Sequence, residues 1–363
     1  MKGLILAGGH GTRLRPITHT SNKHLIPLAN KPMLYYAIET LRNAGIKDIG
    51  IIVGHTPQRI QEIKDAIGDG SKFGVSVTYI EQDAPRGLAH AIGVAKEYLT
   101  SNNADGKFVV HLGDNIIKGG IKKYVEKFSE PGIDSLILLK SIQNPNRFGV
   151  AEIKNGKIVR LVEKPQIPPS DLAMVGVYML NSSIFDSIEK LKPSARGEYE
   201  ITEAVQGVID SGKNVHHEII DAEWWKDPGD PDGILEANRF LLEELVPFNK
   251  GTVEEGSNIV GKVCIEEGAV IKKGSSIRGP VIIGKNCVVG ENAYIGPYTA
   301  IGDNTIVNNA EIESSVVIGD CKIECKGRII DSLIGKNVTI ISSDKNSPKA
   351  SKLVVGENSF LSI

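Results

Sequence analysis

Short apolar runs alternate with amphipathic stretches over the first 245 residues of the chain. The apolar runs predict buried strands, at residues 3–7, 49–53, 75–80 and 108–112, and the amphipathic stretches predict helices, at 32–44, 58–67 and 88–99. Because strands and helices alternate, we expect a Rossmann-like α/β fold with helices on both faces of a mostly parallel sheet. A hairpin is predicted at 149–153 and 157–162, since Asn155-Gly156 favours a two-residue turn.

The hydrophobic period changes to six after about residue 251. An aliphatic side chain occupies every sixth position from Val253 to Val307, and small or β-branched residues stand four positions after the first nine of them. A hexapeptide repeat is typical of a parallel β-helix, in which each coil stacks its aliphatic residues on the coil below. The phase slips near Ile312, and we expect inward positions at Ile318, Ile334 and Ile340 as the repeat resumes.

The length of 363 residues allows two domains, since single domains mostly run to about 100–200 residues. Pro247 and Gly251 indicate a linker at 245–251, where the texture of the sequence changes. The predicted domains are therefore 1–245 and 251–363.

Charge and cysteine content narrow the classes of function. The chain carries 42 basic and 44 acidic side chains, so it lacks the positive excess that favours binding to nucleic acid or anionic membranes. No apolar stretch approaches the roughly 20 residues that span a bilayer. All four cysteines lie in the last third, so no disulfide can link the first 250 residues. We expect a reduced, cytoplasmic protein with neither nucleic-acid nor membrane partners.

A glycine-rich loop, GGHGTRL at residues 8–14, follows the first predicted strand. We expect it to lie where a strand turns into a helix, a place where backbone N–H groups and a helix N-terminus favour phosphate. It lacks the Gly-Lys-Ser/Thr of a Walker A loop, and Leu14 replaces the third glycine of a dinucleotide fingerprint. The loop is suited to a nucleoside triphosphate held for attack at phosphorus. A tight turn with a surface arginine is the structural alternative.

The loop at 8–14, together with Lys23 and Pro27 in SNKHLIP at 21–27, resembles the sugar-1-phosphate nucleotidylyltransferases. Further segments narrow the resemblance to the glucose-1-phosphate thymidylyltransferases: QDAPRGLA at 82–89, LGDN at 112–115, VEKP at 162–165, ARGEYEIT at 195–202 and WKD at 225–227. The resemblance spans residues 1 to about 240 in the family's order. The added repeat resembles the long form of this family, which implies that the β-helix is left-handed.

The resemblance implies a reaction in which dTTP and glucose 1-phosphate give dTDP-glucose and pyrophosphate. The attacking phosphate oxygen is already anionic at neutral pH, so the reaction needs cations and positioning rather than a general base. The implied catalytic cations are Arg13 and Lys23 for the triphosphate, and Lys164 and Arg196 for the sugar phosphate.

The resemblance also assigns binding positions. Those for the nucleotide are Leu6, Ala7, Gly8, Gly9, Gly11, Thr12, Arg13, Lys23, Gln82, Pro85 and Gly87. Those for the sugar phosphate are Gly149, Glu163, Lys164, Tyr178 and Arg196. The Gln82 amide offers a donor and an acceptor to a pyrimidine edge. Thymine and uracil differ only by a methyl group, so a UTP-using uridylyltransferase is an alternative.

Mg²⁺ is the expected cofactor, because the ion prefers carboxylate and phosphate oxygens. Asp114 follows an apolar strand, at the edge where ligands bind in open α/β sheets. The resemblance pairs Asp114 with Asp227 as metal ligands. From the residues alone, both aspartates could instead belong to turns, and Asp230 and Asp232 compete with Asp227.

The sequence departs from the family pattern at three positions. His24 stands where the family has glutamine, Pro228 replaces a threonine after Asp227, and Phe148 replaces a tyrosine found in shorter members. These departures affect the expected sugar preference and rate more than the reaction.

Two further alternatives remain at this point. Hexapeptide β-helices often perform acyl transfer, which would make the protein bifunctional, but all eight histidines precede residue 218 and such transferases usually employ a histidine base. A catalytically silent regulatory homologue is disfavoured because the charged site residues are retained. We expect the β-helix to serve assembly of a homo-oligomer.

Overall fold

The computed structural model describes residues 1–220, 224–342, 350–351 and 353–362. Its contacts divide the chain into two compact units. The first unit comprises Met1–Gly9 and Leu34–Asp227, and the second comprises His10–Met33 and Pro228–Ile363. By contacts, residues 10–33 and 228–245 therefore group with the β-helix, whereas the predicted domain 1–245 included them. The domain ranges 1–245 and 251–363 stay a prediction, and residues 343–349, 352 and 363 of the second range lie outside the described residues.

A mixed nine-stranded sheet forms the first unit within the described residues. Its strands are β1 (Lys2–Leu6), β2 (Asp48–Val53), β3 (Ser76–Glu81), β4 (Lys107–Leu112), β5 (Ser135–Ser141), β6 (Gly149–Lys154), β7 (Lys157–Glu163), β8 (Leu172–Asn181) and β9 (Val215–Ile219). The order is β7-β6-β8-β4-β1-β2-β3, and β5 pairs with both β8 and β9. Strands β1 to β4 pair in parallel, whereas β8 runs antiparallel to β4, β5 and β6.

Helices cover the sheet as the hydrophobic pattern predicts. They are Met33–Asn43, Pro57–Ile67, Leu88–Val94, Lys96–Thr100, Lys122–Phe128, Ser183–Ile188 and Ile201–Asp210. Successive residues of β1, β2, β4 and β8 are buried, which requires cover on both faces because neighbouring side chains point to opposite sides of a sheet. The prediction of a single helix at 88–99 is wrong. The helix ends at Val94, and the Ala95 amide bonds the Ile92 carbonyl three residues back before a second helix begins.

The predicted hairpin is confirmed, with β6 and β7 antiparallel and joined at Asn155-Gly156. Both turn residues have positive φ, 50° for Asn155 and 73° for Gly156, as a two-residue hairpin turn requires. The hairpin joins the edge of the same sheet, where Val150 pairs with Ala173 of β8. Smaller pairs are formed by Ile116–Ile117 with Trp225–Lys226, and by Pro27–Leu28 with Lys31–Pro32.

Three parallel sheets form the β-helix of the second unit within the described residues. The first sheet contains Phe248–Asn249, Val263–Ile265, Val281–Ile283, Thr299–Ile301, Val316–Val317, Leu333–Ile334 and Val354–Val355. The second contains Thr252–Val253, Val270–Ile271, Val288–Val289, Ile306–Asn308, Lys322–Glu324, Thr339–Ile341 and Phe360–Ser362. The third contains Asn258–Val260, Ser276–Arg278, Tyr294–Ile295, Glu311–Glu313, Arg328–Ile330 and Ala350–Ser351.

The register confirms the six-residue repeat over its regular part. Val253 pairs with Ile271 and Ile271 pairs with Val289, so one coil is three hexapeptides. The expected inward position at Ile318 is wrong: Val317 is fully buried and pairs with Ile301, while Ile318 is half-buried. The buried side chains fall at Val307, Ile312 and Val317, so two sides of this coil are one residue shorter than those of the regular coils. Ile334 and Ile340 are buried as expected.

The helix Pro231–Glu243 packs on the β-helix within the second unit. Its Asn238 is fully buried; the side-chain oxygen accepts from the Ala29 amide at 2.8 Å, and the nitrogen donates to the Tyr298 carbonyl at 3.2 Å. Leu242 packs with Ala29, Cys264, Ile282 and Ala300. Among the described residues, no helix combines the length and apolar character needed to cross a membrane.

Candidate active site

The carboxyl ends of the parallel strands position the first group of predicted site residues. The strand β1 ends at Leu6, whose carbonyl accepts from the Gly113 amide at 2.9 Å. The next residue, Ala7, donates its backbone amide to the Ile52 carbonyl at 2.9 Å. Gln82 follows β3, and its backbone N–H donates a hydrogen bond to the Val53 carbonyl. These bonds hold the ends of β1, β2 and β3 at one edge of the sheet, as parallel pairing predicts.

Gln82 begins a segment, residues 82–90, that we call the base segment. Its side chain is buried, and its oxygen lies beside Gly8, where an added Cβ would be 2.9 Å from Oε1. Gly87 has φ of 103° and precedes the helix Leu88–Val94, so it occupies a conformation that side chains disfavour. Pro85 is exposed between these two residues.

Two backbone hydrogen bonds join the base segment to the segment around Tyr199. The Tyr199 amide donates to the Arg86 carbonyl at 2.7 Å, and its carbonyl accepts from the Ala89 amide at 3.1 Å. A Cβ at Gly87 would lie 2.5 Å from the Tyr199 carbonyl oxygen. The segment expected to contact the base is therefore fixed directly against the one expected to contact the sugar phosphate.

Charged side chains from the end of β7, the residue after it and residues 196–200 form a mixed group, the sugar-phosphate cluster: Glu163, Lys164, Arg196, Glu198 and Glu200. The Arg196 guanidinium lies 3.3 Å from carboxylate oxygens of Glu163 and Glu200 and 2.9 Å from Glu198. Lys164 Nζ lies 3.7 Å from Glu163. Both predicted cations thus share one carboxylate, Glu163, although 32 positions separate them in the sequence (196 − 164).

The cluster places one carboxylate in an unusual environment. Burial raises the pKa of Glu163 and the Glu200 charge raises it further, while Lys164 and Arg196 oppose both effects. The second oxygen of Glu163 accepts from Thr202 Oγ1 at 3.3 Å. Gly149 faces the same oxygen, since an added Cβ would lie 3.4 Å from it and 2.5 Å from Thr202. The carboxylates here are suited to accept hydrogen bonds from sugar hydroxyls, and the cations to bind phosphate.

A short antiparallel pair joins the segments that carry the two predicted metal ligands. Lys226 pairs with Ile116 and Trp225 with Ile117, and Asp227 directly follows Lys226. The buried Trp225 indole donates to Asn115 Oδ1 at 2.7 Å, and Asn115 Nδ2 donates to Asp114 at 3.0 Å. Asn115 thus connects the two segments.

The charges of Asp114 and Asp227 both act on one buried phenol, Tyr178. Burial raises the pKa of this phenol above its ordinary value, and the negative charges of Glu163, Asp227 and Asp114 raise it further. Asp114 and Asp227 both lie near Tyr178, and carboxylates are the oxygen donors that Mg²⁺ takes together with substrate phosphates. The residues present therefore fit the expected ion.

The glycine loop continues from Gly9 into the second unit, where its geometry differs from expectation. Thr12–Leu14 is a single 3-10 turn, and Ile17–Thr20 is only one turn of helix, so the expected helix N-terminus at the loop is wrong. The turn closes through the Leu14 amide and the Thr18 hydroxyl, which both donate to the Gly11 carbonyl. These hydrogen bonds to the Gly11 carbonyl, rather than a helix, hold the loop in its conformation.

The cations of the loop are held in different ways. Lys23 is buried, and its Cβ lies 2.8 Å from the position that a Gly11 Cβ would take. Arg13 is exposed and its guanidinium lies against Gly229, where an added Cβ would be 2.6 Å from Nη2. The second unit thus contains Gly11, Thr12, Arg13 and Lys23, and the first unit contains the other predicted site residues.

Residues 2–244 match the sequence model of the nucleotidyl transferase family. The chain belongs to that family. Residues 262–297 match the model of the bacterial transferase hexapeptide, six repeats. This match, together with three parallel sheets, is that of a left-handed parallel β-helix.

Curated relatives extend the similarity over the whole chain. The nucleotidyltransferase Agl11 of low-salt glycan biosynthesis, from Haloferax volcanii, is 46% identical over all of both chains. A glucose-1-phosphate thymidylyltransferase from Streptomyces griseus is 43% identical over 99% of this chain and 98% of its own. A crystal structure from Bacillus anthracis, described as a glucose-1-phosphate thymidylyltransferase with sucrose, is 40% identical, with a TM-score of 0.62 over 69% of this chain and 98% of its own. This 363-residue chain is a sugar-phosphate nucleotidylyltransferase.

Sequence reasoning missed several residues that the geometry brings to the site. Glu200 is buried beside Arg196 and accepts from Ser194 Oγ at 2.8 Å, and Thr202 contacts Glu163. Both lie in the segment ARGEYEIT, and the spacing of Arg196, Glu198 and Glu200 at every second residue was a usable signal. Asn115 and Trp225 gave none, because their hydrogen bond joins positions 110 apart.

Proposed function

We propose that this chain transfers a thymidylyl group from dTTP to glucose 1-phosphate, giving dTDP-glucose and pyrophosphate. The observation that carries the proposal is the direct hydrogen bonding of the base segment to the segment of the sugar-phosphate cluster through Tyr199. An enzyme that joins a nucleotide to a sugar phosphate needs both binding segments fixed relative to each other, because positioning supplies much of the rate enhancement.

In the proposed reaction, a phosphate oxygen of glucose 1-phosphate attacks the α-phosphorus of dTTP. The bond from the α-phosphorus to the bridging oxygen breaks, and that oxygen leaves with pyrophosphate. Lys164 and Arg196 hold the sugar phosphate, and the carboxylates of Glu163 and Glu200 accept hydroxyl hydrogen bonds. Arg13 and Lys23 are the proposed cations for the triphosphate, whose charge grows on the departing oxygen.

Asp114 and Asp227 are the proposed ligands of Mg²⁺. When bound, the ion would neutralise phosphate charge that otherwise repels the nucleophile. Asn115 positions the Asp114 carboxylate, and Trp225 holds Asn115 in turn.

The base identity rests on the relatives whose names specify thymidylyl transfer. Gln82 alone would accept uracil as well as thymine, because the two bases share the same hydrogen-bonding edge and differ by one methyl group. Homo-oligomer formation and a cytoplasmic location stay predictions. Light scattering of the purified protein would test the former.

The decisive experiment is a substrate matrix scored by pyrophosphate release. It pairs dTTP, UTP, dCTP and ATP with the 1-phosphates of glucose, galactose and N-acetylglucosamine. We expect the highest kcat/KM for dTTP with glucose 1-phosphate. A preference for UTP would replace the thymidylyl assignment by uridylyl transfer, and turnover with none of the pairs would contradict the proposal.

A further inference from the structure

The Gln82 side chain makes a specific contact that the proposed reaction does not by itself require. Its Nε2 lies 3.0 Å from Nδ1 of His90, in the first turn of the helix Leu88–Val94. An amide nitrogen can only donate, so Nδ1 accepts and the imidazole is neutral, with its proton on Nε2.

The surroundings of His90 favour this tautomer. Its Nε2 lies 3.5 Å from a carboxylate oxygen of Asp83, which attracts the proton on that nitrogen. The ring stacks on Tyr199 with centroids 6.1 Å apart, which limits its rotation. Burial lowers the pKa of His90; Asp83 opposes this effect and Arg86 adds to it. The ring is therefore neutral at pH 7.

The contact determines which end of the amide is available to a ligand. With Nε2 bonded to His90, Oε1 lies on the side of Gly8, where an added Cβ would be 2.9 Å from it. The two ends of a glutamine amide have nearly the same shape, so without such a partner the side chain could present either one.

We propose that His90 is a positioning residue, which fixes the Gln82 amide with its oxygen toward Gly8 and so selects pyrimidines that carry an N3–H. Thymine and uracil have a donor at N3, which the oxygen accepts, whereas N3 of cytosine is an acceptor and faces the oxygen unfavourably. This inference rests on the proposed function, because it takes Gln82 as the base contact.

A matched pair of substitutions tests it, since leucine and asparagine have similar size and only asparagine keeps an acceptor. We expect His90→Leu to raise the KM for dTTP about fivefold with kcat nearly unchanged, because one hydrogen bond that positions the amide is lost. The ratio of kcat/KM for dTTP to that for dCTP should fall about tenfold. His90→Asn should keep most of both values. Circular dichroism and thermal unfolding establish that both variants fold.

The outcomes separate the inference from the function it rests on. A wild type that turns over no pyrimidine nucleotide contradicts the proposed function. If the wild type uses dTTP while His90→Leu keeps the wild-type KM and the wild-type dTTP/dCTP ratio, the inference alone is overturned. Equal losses in the Leu and Asn variants would also overturn it, since they would mean that the imidazole acts only by packing.

Discussion

In the β-helix, an inward side chain such as Ile277 pairs with its equivalents Ile259 and Ile295 one coil away, and those neighbours are of the same chemical type. In the first unit, the site is assembled from segments far apart in sequence and unlike in chemistry, as where Trp225 bonds Asn115. A repeat stabilises itself through identical neighbours, so one substitution has a local effect. A site assembled from distant segments depends on single contacts that nothing else duplicates.

The largest expected effect comes from removing an arginine of the site. Arg196→Ala should lower kcat/KM by about two to three orders of magnitude, because the charge proposed to hold the sugar phosphate is lost. The matched control is Arg328→Ala in the β-helix, which also pairs with a glutamate, Glu313, at a similar exposure. We expect no change in turnover for the control. Steady-state pyrophosphate release measures both, and equal rates for the two variants would contradict the assigned role of Arg196.

A cavity in the β-helix should lower the stability of the protein and leave substrate binding unchanged. Ile295 is fully buried, so Ile295→Ala should lower the free energy of unfolding by about 2–4 kcal/mol. Ile306 lies on the outside, and Ile306→Ala should cost less than about 1 kcal/mol. Urea unfolding followed by circular dichroism measures both. The KM for glucose 1-phosphate should stay at the wild-type value, and a large increase in it would contradict the separation drawn above.

The two regions also differ in how much of them the sequence reveals. The period from Val253 to Val307 predicts the β-helix register because each contact repeats, and the error at Ile318 arose where two sides of a coil shorten by a residue. The hairpin at Asn155-Gly156 was predictable from local turn chemistry. The resemblance identified Lys164 and Arg196, and the structure brings both to Glu163. The alternating charges at 196–200 offered a signal for Glu200, whereas the contact of His90 with Gln82 depends on packing that no local pattern encodes.

The two regions should also differ in the protons that their side chains take up on unfolding. All histidines precede residue 218, and His111 is fully buried in β4 with its Nδ1 donating to the Leu112 carbonyl at 2.7 Å. Burial lowers the pKa of His111 to about 4, from an ordinary value of 6.5, against smaller raising effects of the Leu112 carbonyl and Asp114. The unfolded chain therefore takes up a proton between pH 6.5 and 4 that the folded chain does not. This lowers the free energy of unfolding as pH falls.

Replacing that histidine tests the proton balance. The wild type should lose about 3 kcal/mol from this group between pH 6.5 and 4, and none of it above pH 6.5. His111→Leu should lack this part of the pH dependence. Urea unfolding at several pH values gives the difference between the two proteins, and parallel curves would show that His111 does not titrate as the structure predicts.

The smallest expected effect concerns a glycine that positions a cation of the loop. Gly229 leaves the space that the Arg13 guanidinium fills, and an added methyl group would displace the flexible end of that side chain rather than backbone. Gly229→Ala should therefore lower kcat/KM about tenfold, by misplacing a charge, while thermal unfolding stays unchanged. The double variant Arg13→Ala/Gly229→Ala provides the control, because a glycine that acts only through Arg13 adds nothing once the arginine is absent. Losses that add in the double variant would mean that Gly229 affects turnover by another route.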